Sequence, residues 1–441
     1  MKPVSRASVL AAYLATKWRL NRWKSRAKFE SWQKHLLTRH LGWIANRSPY
    51  YRDRRDRRSL DPAELETWPI MDKAVMMRNL GSLLTCELCA GERSEINNSN
   101  GNHLPTLPEF AIGASSGTSG RLGRFIVSMG EQAFWAGAVL AKVLRTSLLA
   151  RHRIALFLRA NNQLYHAVAN SRIRLNFFDL GDSFEELLRK LADFQPTVLV
   201  GPPRLLVRIA HLIVEASYPI RPQQVVSAAE VLDPGDRELI QSAFGVPVDE
   251  VYQATEGFLA ATCRFGRLHW NEDIVLIERE PIGHGRFLPI ITDFRRRTQP
   301  IIRYRLDDVI IESDSVCPCG SIFRPIGKIE GRADDLLKLH SIDNQRGTGM
   351  LFPDFVRLAV ATASPYLQDF KVTQTRLDRI EIALLPELPT EASRAEFLTH
   401  FENTLAKICE PNGLVLPECV LMPWRAEPPT QKQRRVRSLV N

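Results

Sequence analysis

The sequence contains no run of 18 apolar residues, so none of it reads as a membrane-spanning helix. Cysteine is scarce, seven in 441 residues, which argues against a disulfide framework and for a reducing, cytoplasmic setting. The pattern GxxxxGK[ST] does not occur, which argues against a P-loop nucleotidase. Paired zinc-finger ligands, an RNP-type aromatic motif and heptad arrays are also missing, so no nucleic-acid partner is expected. Internal repeats and low-complexity tracts are absent too. The apolar stretch SVLAAYLA near the start is short and runs into KWRLNRWKSRAK, so it is not read as a signal peptide. Acid is missing from residues 1–29, which hold eight Lys or Arg, and RDRRDRR (52–58) adds further cations to a net charge of +10. Such a segment suits an anionic partner: nucleic acid, acidic lipid or an acidic carrier protein. It equally suits a solvated basic helix with Trp18, Trp23 and Trp32 on its buried side.

What is present is ordinary for a globular chain, with 44% hydrophobic and 24% charged residues, and is long enough for two or three domains. Residues 1–45 carry apolar side chains at helical spacing, and 60–90 suggest more helix, broken at Trp68-Pro69. GERSEINNSNGNHLPTLPEF (91–110) is polar and rich in breakers, hence a loop. Strand and helix patterns then alternate through RIALFLRA, FEELLRKLADF, PTVLVGPP, RLLVRIAHLIVEA, QQVVSAAE and DRELIQSAF. This alternation predicts an α/β fold: a large N-terminal domain with a mostly parallel sheet. Residues 257–330 read as a small β-rich subdomain, and the chain from 333 onward as an α+β module. The expected parts are an N-terminal helical region (1–100), a binding core of the large domain (101–332) and a mobile C-terminal domain (333–441).

Two constellations carry chemistry. ASSGTSGRLGR (114–124) places four hydroxyl side chains and three glycines in eleven positions. Backbone N–H groups in such a turn converge on oxyanions, and hydroxyls add donors, so a nucleotide triphosphate is the first candidate ligand. Cys263 and His269 lie close together, and Cys317-Pro-Cys319-Gly is a tight turn presenting two thiols. Together they make a Cys₃His set suited to tetrahedral structural Zn²⁺. The alternative is four ordinary turn residues.

ASSGTSG, VYQATEGF (251–258), YRLDDV (304–309) and GRADDLLK (331–338), in this order, resemble the motifs of the adenylate-forming superfamily of acyl-CoA ligases and peptide-synthetase adenylation domains. SPYYR (48–52), WPIMDK (68–73), AAE (228–230), PIIRYR (300–305) and CPCG (317–320) resemble its phenylacetate–coenzyme A ligase branch, which includes synthetases that adenylate a deazaflavin coenzyme. The resemblance implies roles by position. Ser115, Ser116, Gly117, Thr118, Ser119 and Gly120 would hold the outer phosphates of ATP, with Arg121 neutralising charge. Glu256 would bind Mg²⁺ and Thr255 would touch the α-phosphate. Ala228, Ala229 and Glu230 would line the adenine, with Tyr252 also on the ATP side. Asp308, acceptor-only when ionised, suits the ribose hydroxyls, and Arg332 would contact ribose or phosphate. Asp334 would be the hinge, Lys432 the catalytic lysine, and Tyr165 and His166 the neighbours of an aryl acid.

The implied activity is ATP- and Mg²⁺-dependent adenylation of a carboxylic acid, then transfer to the thiol of coenzyme A or of a carrier-protein pantetheine arm. Departures keep alternatives open. Asp307 stands where the family has glycine, LHSIDNQRGTGMLFP replaces a glycine-rich turn, and no glycine precedes Lys432. An amine or hydroxyl acceptor, transfer of AMP to a coenzyme-like hydroxyl, and a non-catalytic nucleotide binder therefore remain. The oligomeric state, a dimer included, is left open.

Overall fold

The computed structural model describes residues 4–57, 61–86, 109–114, 123–158, 169, 171–180, 182–216, 218–313, 315–343, 347–364, 367, 369–426 and 434–440. These fall into two compact units: residues 1–306 with 311–328, and residues 307–310 with 329–441.

The first unit begins with helices α1 (Arg6–Arg22), α2 (Arg26–Arg47) and α3 (Pro49–Arg57), followed by two short ones, α4 (Lys73–Arg78) and α5 (Leu80–Leu83). Pro49 opens α3, where its missing N–H costs nothing. Strands β1 (Phe110–Ala114) and β2 (Arg124–Ser128) pair antiparallel, Ala114 facing Arg124. Helix α6 (Met129–Val143) follows, started by a capping box in which Ser128 and Glu131 bond reciprocally.

The main sheet then forms from β3 (His152–Leu158), β4 (Ile173–Asp179), β5 (Val198–Gly201), β6 (Gln224–Ala228), β7 (Val248–Ala254), β8 (Gly257–Thr262) and β9 (Leu268–Trp270), in the order 4-3-5-6-7-8-9. Strands β4 to β7 of that order run parallel, and β8 and β9 are antiparallel additions. Helices α7 (Phe184–Phe194), α8 (Pro203–Ala216) and α9 (Pro234–Phe244) connect the parallel strands. Successive strand residues feed opposite faces, as period two requires. Ala155, Phe157, Leu199 and Val225 join Leu187, Leu191, Leu206, Ile209 and Ile240 on one side. Ile154, Val198 and Val226 join Ala136 and Leu140 of α6 on the other. Both faces are covered, which explains the near-continuous apolar runs in these strands.

Helix α1 lies on the back of α6. A Cβ built on Gly137 would meet the Val9 carbonyl oxygen at 2.5 Å and the Tyr13 nitrogen at 2.7 Å, so only glycine permits this approach. Asp273, fully buried, accepts from Arg19 Nε at 3.0 Å and Lys142 Nζ at 2.7 Å. Its neighbour Glu272 takes Arg26 through two bonds of 2.7 Å. The basic N-terminal segment is thus partly neutralised by one buried acid pair. Trp23 packs edge-on and Trp32 tilted against Phe29, and both are half-buried, but Trp18 is 57% exposed, so the segment does not bury all three. Trp18 faces outward because α1 turns its Val9, Tyr13 and Thr16 side to α6.

The β-rich part of this unit is the hairpin β10 (Val275–Gly283) and β11 (Arg286–Asp293), with β12 (Tyr304–Arg305) on β11. Strands β13 (Asp308–Glu312) and β14 (Ile326–Arg332) carry the division between the units. The second unit holds the hairpin β15 (Leu337–His340) and β16 (Thr348–Leu351), helices α10 (Pro353–Ala363) and α11 (Glu391–Cys409), and a four-stranded sheet. That sheet is β17 (Asp369–Arg376), β18 (Arg379–Leu385), β19 (Glu418–Leu421) and β20 (Val436–Ser438), ordered 19-18-17-20. Its core is Val372, Ile380, Ile382, Phe397, Phe401, Leu405 and Val436. In the stretch 434–440, β20 runs parallel to β17, and Arg434 donates to Asp335 at 2.6 Å.

Candidate functional site

Parallel strands end together, and their C-terminal edge is where α/β sheets leave a crevice for ligands. Ala228 ends β6 and is paired with Val251 of β7. Ala229, the next residue, has φ +71°, a left-handed conformation disfavoured for a residue with a Cβ. It is exposed, while Ala228 and Glu230 are half-buried.

One strand along, β7 turns into β8 through two residues, Thr255 and Glu256, with Ala254 facing Gly257. Both turn residues are half-buried. The turn is held from behind. Arg296 Nη1 donates to the Thr255 carbonyl at 3.0 Å. The Asp293 carboxylate accepts the Arg295 and Arg296 backbone N–H groups at 2.6 and 3.1 Å. A Cβ on Gly257 would lie 3.1 Å from the Asp293 carboxylate, so Gly257 lets the turn sit down on it. Burial pushes the Asp293 carboxyl up to about 6, against the pull of those N–H groups and of Arg296. Tyr252, buried on β7, packs its ring 5.9 Å from that of Trp270.

Lys73, Gly123, Arg124, Thr255, Glu256, Arg296 and Gln299 line one small pocket. The downstream end of the glycine- and serine-rich stretch is therefore beside the Thr255–Glu256 turn. Gln299 fixes this junction: its side chain accepts from Ile126 N at 2.8 Å and donates to Arg124 O at 3.2 Å. Glu131 binds the backbone N–H of Thr298 at 2.9 Å, locking the segment that carries Arg296. Sequence reasoning assigned no role to Lys73, Arg296 or Gln299. Lys73 was visible only as the end of WPIMDK, and Arg296 only as one of three adjacent arginines. WPIMDK and PIIRYR meet in space, with Met71 N donating to Arg303 O and Arg305 N to Met71 O, each at 2.8 Å.

Ser115, Ser116, Gly117, Thr118, Ser119, Gly120, Arg121, Tyr165, His166 and Lys432 lie outside the described residues. In the second unit, Asp308 is half-buried at the start of β13. Arg332 donates to Asp307 at 2.9 Å. Asp334 is in the short 3₁₀ turn Ala333–Asp335 that follows Arg332. Burial raises the Asp335 carboxyl although Arg434 faces it.

A second cluster forms on the β8–β9 side of the same unit as the pocket. The ligand atoms of Cys263, His269, Cys317 and Cys319 all lie within 4.8 Å of one another. Cys263 Sγ is 3.6 Å from Cys317 Sγ, and Cys319 Sγ is 3.6 Å from His269 Nε2. A tetrahedral zinc with bonds near 2.3 Å sets its ligand atoms about 3.8 Å apart, so the cluster has the right size. The His269 Nδ1 atom is 2.7 Å from the Phe323 carbonyl, which fixes its proton there and leaves the Nε2 lone pair toward the sulfurs. The thiols are presented by tight turns that need glycine, at Gly266 (φ +77°) and Gly320 (φ +73°).

No family model matches the chain. Protein CapK of Staphylococcus aureus is 29% identical over 163 residues, 36% of this chain and 36% of CapK, so the match spans about a third of that relative's length. A 2-hydroxyisobutyryl-CoA ligase solved in the postadenylation state superposes with a TM-score of 0.70 at 16% identity, covering 93% of this chain and 89% of that one. The GH3.15 acyl acid amido synthetase gives 0.60 at 13% identity, covering 93% and 91%. The anthranilate CoA ligase AuaEII, bound to anthranoyl-AMP, gives 0.51 at 13% identity over 73% and 65%. The chain has the fold of the adenylate-forming ligases.

Proposed function

We propose that the protein adenylates a carboxylic acid, an aryl acid by the sequence resemblance, and passes the acyl group to a thiol of coenzyme A or a carrier-protein arm. The observation that carries the proposal is the small pocket at which the Thr255–Glu256 turn meets Gly123, in the sequence stretch that resembles a phosphate-binding motif. The acid's carboxylate attacks the α-phosphorus of ATP, pyrophosphate leaves, and the thiol later displaces AMP from the acyl carbon. Thr255 would donate to the α-phosphate, and the Ala228–Glu230 backbone would flank the adenine. Lys73 and Arg296 supply positive charge on the pocket wall, which favours the polyanionic substrate and its leaving group. Glu256, a half-buried carboxylate, is a hard oxygen donor suited to Mg²⁺, whose charge would assist pyrophosphate departure. Asp308 and Arg332 would take the ribose and phosphate contacts and Lys432 the catalytic role carried over by resemblance, and rotation at Asp334 would remove Lys432 from the site between half-reactions. A structural zinc ion at Cys263, His269, Cys317 and Cys319 completes the proposal, supported by the spacing of those atoms.

ATP–pyrophosphate exchange over a panel of aryl and aliphatic acids tests it. At least one acid should support exchange, and Glu256→Gln should lower that exchange about a hundredfold or more with the melting temperature unchanged. Nucleotide binding without exchange for any acid would refute the adenylation reading.

A further inference from the structure

Helix α1 has two apolar sides, and among the described residues α6 covers only one. Leu10, Leu14 and Trp18 are 51%, 58% and 57% exposed. They are four residues apart, so at about 100° per residue they share a face roughly 80° wide. Ala7 and Ala11 are exposed on the same face. Cations border it on both edges. Measured from Leu14, Arg6 and Lys17 fall roughly 60–80° to one side and Arg22 about 80° to the other. The Arg22 guanidinium stacks over Trp18 at 4.4 Å, its charge held beside the ring. Lys24 and Lys28 are exposed just beyond. The first acid of the chain is Glu30, and it is paired with Arg26 at 2.7 Å.

We propose that this face of α1 docks on an anionic lipid surface. A helix lying in the headgroup region shows this composition: leucine and tryptophan toward the acyl chains, arginine and lysine at headgroup level. No acidic side chain interrupts this face or its borders within α1. A second copy is a poor occupant, because a two-fold contact would set the same cations against each other with no acid between them. Nor does the face have to fold on the membrane. The Gly137 contact and the Arg19–Asp273 bond hold α1 against α6, so the apolar ridge is presented rigidly. Binding would be peripheral and reversible, and it is independent of the adenylation proposal.

The test is sedimentation of the full-length protein with vesicles of phosphatidylcholine alone and of phosphatidylcholine mixed with phosphatidylglycerol. Binding is expected on the anionic vesicles only, and raising salt should weaken it. Leu14→Glu should reduce it at least about tenfold, since it puts a charge into the apolar face. Arg6→Glu and Arg22→Glu should each weaken it several-fold on the anionic vesicles. Leu14 is exposed, so Leu14→Glu should melt like the parent protein, and unchanged melting confirms that lost binding is not lost folding. Equal binding to both vesicle types, no binding to either, or parent-like binding by Leu14→Glu would each overturn the proposal. So would concentration-dependent dimerisation abolished by Leu14→Glu, or RNA binding without vesicle binding.

Discussion

Asp273→Asn removes the carboxylate that sits between two buried cations while keeping the side chain's size. In the parent, Asp273 and Lys142 are almost wholly buried and the Arg19 side chain is 7% exposed. Burial alone would raise the Asp273 carboxyl, but Lys142 and Arg19 together hold it below its ordinary 3.8. The asparagine amide can accept one bond but presents an NH₂ to the other cation. Breaking one partner out of such a buried cluster costs about 3–5 kcal/mol. For a unit of this size that corresponds to a melting temperature lower by roughly 4–7 °C. Differential scanning calorimetry resolves the transition of the first unit, and limited trypsin digestion reports release of α1 through cleavage at Lys17 to Lys28. A second variant separates charge from packing: Arg19→Met, Lys142→Met and Asp273→Leu combined should recover most of the loss, because apolar replacements of a whole buried cluster are often neutral. A loss under about 1 kcal/mol for Asp273→Asn, or no recovery in the triple variant, would refute the reasoning that uncompensated charge is the cause.

Gly137→Ala should destabilise by about 1–3 kcal/mol and speed tryptic cleavage of α1, because the new methyl meets backbone atoms of Val9 and Tyr13 that cannot move without shifting the helix. Cys317→Ser should lower bound zinc from stoichiometric to a trace and lower the melting temperature, measured by elemental analysis and calorimetry; purified parent protein without zinc would remove the metal assignment. His40 provides a pH test. It is buried, neither ring nitrogen has a partner, and burial with help from Arg297 and Arg295 pushes it down from 6.5 to about 3. The unfolded chain takes up the proton below pH 6.5 while the folded one waits until about 3, so stability falls as pH drops through that window. The loss should reach about 2 kcal/mol by pH 5, and His40→Leu should abolish that part of the slope in urea titrations.

The cysteine–histidine set shows how far residue identity reaches. Three thiols and an imidazole are legible as a donor set from their types and local spacing. Their convergence is not, because more than fifty residues separate Cys263 from Cys317, and tertiary contacts such as the bridge of His269 to Pro325 and the bonds from Arg267 to Ser315 close that distance. The Thr255–Glu256 turn was legible as a motif, whereas Arg296 behind it was one arginine of three until Asp293 and Glu131 fixed the path of its loop. Trp18 had to be seen in place, since a helical apolar pattern does not say which of two apolar sides is covered.

By itself, the sequence determined the alternation of strand and helix, the order of the motifs along the chain and the charge of the first helix. These depend on local periodicity and composition, which neighbours in the chain set. The tertiary structure decided which strand ends meet, that Ala229 is held left-handed, that Lys73 and Arg296 share a wall with Glu256, and that one face of α1 is left uncovered. Those follow from packing between residues far apart in the chain, where the outcome turns on shape and burial that no local pattern encodes.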